Sequence, residues 1–435
     1  MSSEAKVVLW GQQIGAVLLE PGEQSAVFQY TADFAASGIQ VAPLMMPLRT
    51  APYSFPELPD KSFKGLPAML ADSLPDRYGN ALMDAWLARK GKSDANAVER
   101  LTYMGQRGTG ALEFVPAKGP ELTADEAIEI GELVELASQI LAERDDFATT
   151  LAPGMEERGL LEILSVGMSA GGARAKAVIA WNPDTNEVRV GQVAAPPGFE
   201  HWLLKFDGIK NNRDKERFAD PEGYGAVEFA YSLMAGAAGI EMSPCRLFPE
   251  NGRRHFMTKR FDRPGASAKL HMQSLAALQH YDFNDSRGYS YEQALRTIRQ
   301  LGLPMESVEQ QFRRMTFNLI ARNQDDHVKN IAFLMDRGGN WSLSPAFDIT
   351  YNYKIDGEWT ARHQMSVNGK RDGFVTEDLL QCADTVSMQR GRAREIIVEV
   401  ADAVAEWPAY AAQAKAAEPK AIEIEAALRL QLRPR

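Results

Sequence analysis

Apolar and polar residues alternate along positions 6–30, which is the pattern of strands that bury one face. Residues 63–92 change to helical spacing, with Pro75 at the start of a second helix. Glycines then precede a short apolar strand at 111–116. These patterns predict a small antiparallel sheet, a helical segment and a further strand. We therefore predict an N-terminal subdomain over residues 1–118.

The chain beyond this subdomain changes from mixed to mainly helical patterns. The predicted elements are helices at 124–145 and 224–240, strands at 175–181, 201–206 and 253–261, helices at 292–301, 306–322, 376–383 and 391–405, and a helix in the tail at 409–435. Strands are therefore concentrated in the first part and helices in the second. We predict an α+β fold with a sheet-rich lobe at 119–262 and a helical lobe at 263–435.

The composition is that of a globular protein, with 45 % hydrophobic and 24 % charged residues. A length of 435 residues predicts two or three packed units. No apolar run is long enough to span a membrane and the start does not resemble a signal peptide, so we expect a cytoplasmic protein with no membrane partner. Cys245 and Cys382 are too far apart to suggest a disulfide framework or a zinc site. The net charge of −10 argues against nucleic-acid binding by bulk electrostatics.

The densest group of chemically capable residues is the run DDHVKN at 325–330, directly after a predicted helix. A kinase needs a carboxylate to accept the proton of the attacking hydroxyl, and an amide or carboxylate nearby to hold Mg²⁺. Asp325 and Asn330 are five positions apart, the separation found in the kinase catalytic loop HRDxxxxN. This spacing predicts a phosphoryl-transfer loop.

Two short strands are predicted beyond Asn330, on either side of a turn at 338–340. The second strand leads to Asp348 in the run SPAFDI. Because a hairpin returns the chain close to its start, we expect Asp348 to share a metal with Asn330. Hard oxygen ligands of this kind suit Mg²⁺ or Mn²⁺.

Plainer interpretations of these residues remain open. Asp325 and Asp326 could cap a helix or a turn, and the Phe-Asp pair could be incidental. His327 is weaker evidence, because a lone histidine is more often a structural hydrogen-bonding group than a catalyst. We assign no role to Asp326.

Other parts of a nucleotide site appear upstream in the required order. The glycine-rich run at 165–176 forms a phosphate-sized turn whose N–H groups can face anionic oxygens. Lys205 ends an apolar strand, where a half-buried ammonium needs an anionic partner. Glu228 lies among apolar residues of a predicted helix and is a candidate to orient Lys205.

The strand at 256–263 is a candidate hinge, with the backbone of Lys259 and Phe261 facing adenine. Taken singly, the upstream features also fit an ordinary turn, a lysine that reaches to solvent and a glutamate on a helix surface. Their order along the chain favours an ATP-binding kinase.

With these residues in view, the chain resembles the HipA-type serine/threonine kinases, the toxins of bacterial HipBA toxin–antitoxin modules. The likeness extends over nearly the whole chain. The segments that carry it are WGQQIGAVLLE, PLMMPL, LADSLPDRYGNAL and GQRGTGALEFVP in the N-terminal part, and MSAGGARAK, WLLKF, MTKRFDR, DDHVKN and SPAFDI in the kinase part. The resemblance implies a bilobal protein-kinase-like fold, with an N-terminal subdomain, an ATP-binding lobe and a helical lobe that carries the catalytic loop.

The resemblance also implies roles for single residues. Asp325 would be the catalytic base, Asn330 and Asp348 would hold Mg²⁺, and Lys205 would contact the ATP phosphates. Further ATP contacts would come from Lys259 and Phe261 at adenine, from Asp262 and His327 near the ribose or phosphates, from Lys329, and from the phosphate-loop residues Ser169, Ala170, Gly171 and Gly172. Ser169 matches the family serine whose autophosphorylation ejects the loop and silences the enzyme.

The implied partners are a HipB-like helix-turn-helix antitoxin, operator DNA bound mainly through it, and a protein substrate. In some family members the substrate is an aminoacyl-tRNA synthetase, whose phosphorylation arrests translation and favours drug tolerance. The chain departs from the family at Asp326, where glycine is usual, and at Arg174 and Ala175, where glutamine and a carboxylate are usual.

Two other functions stay open. A lipid or small-molecule kinase is one, because DDHVKN also looks like the DRHxxN loop of phosphoinositide kinases; the acidic balance and the lack of a basic amphipathic segment count against membrane substrates. A catalytically silent co-repressor is the other.

Overall fold

The computed structural model describes residues 3–92, 94–120, 127–142, 174–208, 223–265 and 267–434. The first unit contains the antiparallel sheet that the alternating pattern predicts, with strand order β3-β2-β1-β4. Its strands are β1 (Ser3–Leu9), β2 (Gln12–Leu19), β3 (Val27–Tyr30) and β4 (Leu112–Val115), and its helices are α1 (Ala32–Ala35), α2 (Asp60–Phe63), α3 (Ala68–Ala71), α4 (Arg77–Arg89) and α5 (Ala97–Met104). The Asp76 side chain accepts from the N–H of Gly79, so α4 begins just after Pro75, as predicted.

The second unit is built on a five-stranded antiparallel sheet of order β6-β5-β7-β9-β8. Its elements are α6 (Ile130–Ala142), β5 (Lys176–Trp181), β6 (Val188–Val190), β7 (Glu200–Lys205), α7 (Tyr224–Ala237), β8 (Cys245–Glu250) and β9 (Arg253–Lys259). All six positions of β5 are buried, which explains why its sequence is an apolar run rather than an alternation.

The third unit is mainly helical, as predicted. Its elements are β10 (His271–Ser274), α8 (Leu275–Gln279), α9 (Tyr291–Gln300), α10 (Met305–Ile320), a 3-10 turn (Val328–Asn330), β11 (Ala332–Met335), β12 (Trp341–Leu343), α11 (Thr376–Asp384), α12 (Arg390–Ala405), α13 (Trp407–Gln413), α14 (Glu418–Ala427) and a second 3-10 turn (Leu430–Leu432). The predicted hairpin around residues 338–340 is formed by β11 and β12, and β10 extends it to three strands.

The tail differs from the single helix that its composition predicts. It forms α13 and α14, separated at Lys415, whose φ is +52°. Pro419 lies in the first turn of α14, where its missing N–H costs no helical hydrogen bond, so it starts a new helix instead of continuing the old one.

Two buried apolar clusters hold these units together. One joins the N-terminal sheet to the five-stranded sheet and includes Val7, Ile179 and Trp202. The other fills the helical unit and includes Tyr231 from α7, whose ring packs 5.2 Å from that of Trp407. The helix α7 therefore links the sheet-rich lobe to the helical lobe. Within the described residues no helix is both long and apolar enough to cross a membrane.

Candidate active site

The run DDHVKN forms a tight loop between α10 and β11. The amide of Asn330 donates from Nδ2 to the backbone carbonyl of Asp325 at 2.9 Å, and its backbone N–H donates to the carbonyl of His327 at 2.9 Å. These bonds close the loop and fix the Asn330 amide, which leaves Oδ1 as the atom able to bind a cation. The carboxylates of Asp325 and Asp326 cap neither a helix nor a turn, because their hydrogen bonds go to residues of other segments.

The Asp325 side chain is 41 % exposed, in a cleft between the sheet-rich lobe and the helical lobe that also contains Asp348. Its Oδ1 accepts from Nε2 of Gln364 at 2.7 Å, and Nε2 of His327 lies 3.9 Å away. Partial desolvation by the surrounding protein and the negative charges of Asp348 and Asp326 raise the pKa of Asp325, although His327 and Gln364 oppose the change. A raised pKa makes this carboxylate a better proton acceptor than an ordinary surface aspartate.

Asp348 reaches the same cleft by a route that differs from the prediction. The strand β12 ends at Leu343. The chain then passes the loop that follows α7, where the Ala346 N–H donates to the Glu241 carbonyl at 2.8 Å. Asp348 itself has a φ of +57°, an uncommon conformation for a residue other than glycine. The turn after the hairpin, rather than the strand, therefore sets the direction of the Asp348 carboxylate. Uncommon backbone conformations of this kind are frequent in functional sites.

Lys205 joins the sheet-rich lobe to the helical lobe. Its Nζ donates to Oε1 of Glu228 and to Oδ1 of Asp348, so the contact between Lys205 and Glu228 expected from the sequence is present. Burial alone would lower the pKa of Lys205, but Asp348 and Glu228 outweigh it and raise the pKa. In turn the ammonium lowers the pKa of Asp348 to about 2 against the effect of burial. Glu228 is 1 % exposed and also accepts from Arg174 at 3.1 Å.

The hydrogen bonding between β8 and β9 ends at Lys259. The Lys259 N–H donates to the carbonyl of Pro244 at 2.9 Å, but proline has no N–H to return, so the Lys259 carbonyl lacks its ladder partner. Phe261 lies just past the strand, and its ring is 5.6 Å from that of Phe347, next to Asp348. The position fits the predicted hinge, where backbone groups would face adenine.

Asp262 is held by residues of the candidate hinge and of the N-terminal unit. It is 3 % exposed, and its oxygens accept from Arg260, from Arg263 and from the N–H of Gly110 at 2.8 Å. These two guanidinium groups lower the pKa of Asp262 well below its ordinary value even though burial alone would raise it. The carboxylate therefore joins the candidate hinge to the N-terminal unit, and its expected position near the ribose or phosphates stays a prediction.

Replacing Asp262 by asparagine should destabilise the fold by about 3–5 kcal/mol, because it leaves two buried guanidinium groups without their counter-charge. Urea unfolding of the purified protein measures the change. Glu200→Gln is the control. The Glu200 side chain is 35 % exposed, so its ion pair with Lys259 should contribute no more than about 1 kcal/mol. Equal, small effects of both changes would contradict the anchoring role.

Two other predicted nucleotide contacts, Lys329 and His327, lie on the catalytic loop with different neighbours. The ammonium of Lys329 lies 3.8 Å from Oδ1 of Asp72 in the N-terminal unit and 4.4 Å from the ring of Phe283, and its contact with ATP stays a prediction. His327 stays beside Asp325, consistent with either of its interpretations. The loop residues Ser169, Ala170, Gly171 and Gly172 lie outside the described residues.

Sequence reasoning missed Gln364 and undervalued Asp326. Asp326 is a 3 % exposed carboxylate that accepts from three groups, one of them the N–H of Gln364 at 2.8 Å. Gln364 is 39 positions from Asp325, so no local spacing could connect them. The sequence held one signal for Asp326, which is that an ionisable side chain in a buried position needs hydrogen-bond partners.

The metal donors expected from the sequence are Asn330 and Asp348. Among the described residues no group of three or more His, Cys, Asp and Glu side chains could hold a metal by itself. Mg²⁺ in nucleotide sites usually takes one or two protein oxygens together with phosphate and water oxygens. An amide oxygen and an ionised carboxylate therefore fit Mg²⁺ bound with a nucleotide, and do not suit a dedicated protein cage.

Two family models match the chain: the HipA N-terminal domain over residues 5–115 and the HipA-like C-terminal domain over residues 168–407. Among solved structures, the HipA of Shewanella oneidensis MR-1, in a complex with HipB and its operator DNA, is similar with a TM-score of 0.66 and 16 % identity, over 98 % of this chain and 95 % of that chain. The proinflammatory kinase CtkA of Helicobacter pylori matches with a TM-score of 0.32 and 12 % identity, over 53 % of this chain and 93 % of its own. A search of curated proteins finds no match. The α+β, two-lobed kinase-like fold predicted from the sequence is confirmed.

Proposed function

The chain belongs to the HipA family, and we propose that it is an ATP- and Mg²⁺-dependent serine/threonine-protein kinase that acts as the toxin of a type II toxin–antitoxin system. The observation that carries the proposal is the convergence of Asp325, Lys205 and Asp348 in one cleft, with Lys205 bound to Glu228. The proposed domains are an N-terminal subdomain at 1–118, an ATP-binding lobe at 119–262 and a catalytic lobe at 263–435.

Each group in the cleft has a task in phosphoryl transfer. Glu228 holds Lys205 in place, and the ammonium binds oxygens of the ATP phosphates. Asp325 accepts the proton of a serine or threonine hydroxyl as its oxygen bonds to the γ-phosphorus and the bond to ADP breaks. A bound Mg²⁺ would be held by Asn330 and Asp348 and would neutralise negative charge on the phosphates.

The proposed partner is a HipB-like helix-turn-helix antitoxin, through which operator DNA is bound. The support is the Shewanella HipA, which occurs in a complex with HipB and operator DNA and has the same fold along nearly the whole chain. The net charge of −10 agrees with DNA contact made mainly through a partner. The proposed substrate is a translation-related protein, with an aminoacyl-tRNA synthetase as the first to test.

Incubation with labelled ATP and Mg²⁺ tests the proposal. We expect label on Ser169 of the kinase and on a protein from a co-incubated translation extract. Ser169→Ala should abolish the label on Ser169 while transfer to the other protein continues, as resolved by gel and mass spectrometry.

The rival functions give different results in the same assay. Label confined to lipid or metabolite extracts would identify a lipid or small-molecule kinase and overturn the proposal. No transfer at all, combined with operator binding by wild type and Asp325→Asn alike in the presence of the antitoxin, would identify a co-repressor.

A further inference from the structure

Gln364 makes two hydrogen bonds that tie both aspartates of the catalytic loop to another segment. Its side-chain Nε2 donates to Oδ1 of Asp325 at 2.7 Å, and its backbone N–H donates to Oδ1 of Asp326 at 2.8 Å. The residue is 6 % exposed, so competition from water for these bonds is small. An amide N–H held against Oδ1 of Asp325 fixes the rotation of that carboxylate and leaves Oδ2 to accept a proton.

Asp326 is the buried group that holds the backbone of Gln364. Besides the Gln364 N–H, it accepts from the hydroxyl of Tyr291 and from Nδ1 of His363, both at 2.8 Å on Oδ2. Burial and the adjacent carboxylate raise the pKa of Tyr291 well above its ordinary value, so the phenol stays protonated and is the donor. A carboxylate in this position needs all three bonds to offset its loss of water.

His363 connects Asp326 to the C-terminal segment. Arg429 donates from Nη1 to Nε2 of His363 at 2.8 Å. Because arginine is only a donor, Nε2 of His363 is the acceptor and Nδ1 carries the proton that is shared with Asp326. His363 is 1 % exposed and Arg429 is 4 % exposed.

Arg429 is itself fixed to the helix that leads into the catalytic loop. Its backbone N–H donates to the carbonyl of Ile320, at the end of α10, at 2.9 Å, and Nη1 donates to the carbonyl of Leu319 at 3.1 Å. Nη2 donates to Asp372. The segment after α14 therefore reaches the interior of the helical lobe directly behind the catalytic loop.

We propose that Gln364 positions the Asp325 carboxylate for catalysis, and that Arg429 acts through His363 and Asp326 to hold Gln364 in place. This inference rests on the proposed kinase function and adds to it four positioning residues and a catalytic requirement for the C-terminal segment. A purely structural network would stabilise the fold without affecting turnover of the folded enzyme.

Gln364→Leu removes the amide while keeping a side chain of similar size. We expect kcat to fall by about tenfold to a hundredfold, the scale of a misplaced reacting group, while KM for ATP changes by less than about twofold. Arg429→Met should lower kcat in the same way, and Arg429→Lys, which retains a charge and a donor, should recover much of the loss. Arg433→Met is the matched control, because Arg433 lies in the same segment but pairs with Asp402 on the surface, where it is 48 % exposed.

The double variant Gln364→Leu/Arg429→Met distinguishes a connected series of contacts from independent ones. Because Arg429 is proposed to act through Gln364, the double variant should lose little more kcat than Gln364→Leu alone. All rates are measured well below the melting temperature of each variant, so that loss of folded protein does not contribute.

The outcomes are distinct. An inactive wild type would overturn the proposed function, and the catalytic role of Gln364 with it. An active wild type with unchanged kcat in Gln364→Leu would overturn the positioning role alone. The connection to the C-terminal segment would be overturned if the losses of kcat multiply in the double variant. It would also be overturned if Arg433→Met loses as much kcat as Arg429→Met and Arg429→Lys recovers none of the loss.

Discussion

Asp325→Asn should lower the rate of phosphoryl transfer by at least about a hundredfold while ATP binding is retained. Asparagine has the same shape, and its amide oxygen can still accept from Nε2 of Gln364, so the catalytic loop keeps its geometry. The amide cannot accept the proton of the substrate hydroxyl. Initial rates with labelled ATP measure the loss, and calorimetry with ATP measures the retained affinity.

Asp285→Asn is the control for the removal of one negative charge. Asp285 is exposed and lies on the wall of the small cavity that His327 also lines, without belonging to the proposed machinery. It should keep near-wild-type turnover. Near-wild-type activity of Asp325→Asn would show that another group accepts the proton, and equal losses in both variants would show that charge alone matters.

Growth inhibition on expression gives a second readout of the same change. If the chain is a toxin kinase, wild type should arrest growth in a host that contains the substrate, and Asp325→Asn should not. Comparing the phosphoproteins of the two cultures would name the substrate, since only proteins modified by the active enzyme differ between them.

Local sequence patterns were sufficient to predict the scaffold of the cleft. The alternation at 6–30, the apolar run of β5 and the hairpin of β11 and β12 depend on short-range periodicity and turn chemistry, which a single sequence contains. The separation of Asp325 and Asn330 likewise reports a loop that closes on itself, as the bond between them shows. Pairs of this kind are visible without knowledge of the fold.

The remaining features depend on contacts between distant segments. Asp262 bonds to Gly110, 152 positions away, and Gln364 approaches Asp325 from 39 positions away. A motif carries no information about distant partners, so neither the bond of Asp262 to Gly110 nor the bonds that Asp326 accepts could be predicted from the sequence. Only the packing of the N-terminal unit against the hinge, and of the C-terminal segment behind the loop, determines which partners they meet.

Asp348→Asn should also lower turnover by at least about a hundredfold, and in addition raise the Mg²⁺ concentration needed for half-maximal rate. Asp348 has a φ of +57°, and asparagine tolerates this conformation better than most residues, so the backbone should be preserved. Lys205 keeps its bond to Glu228. Because the pKa of Asp348 is about 2, the wild-type carboxylate is ionised throughout the usual assay range, and the variant tests the loss of a charged ligand rather than a change of protonation.

Rates measured over a Mg²⁺ series, and ATP binding with and without Mg²⁺, distinguish Asp348 from Asp325. Asp325→Asn should lower the maximal rate at an unchanged Mg²⁺ requirement, whereas Asp348→Asn should change both and weaken the enhancement of ATP binding by Mg²⁺. Asp356→Asn, an exposed position in the loop that follows, is the control and should alter neither. A Mg²⁺ requirement that stays at the wild-type value in Asp348→Asn would mean that Asp348 serves to hold Lys205 and is not a metal ligand.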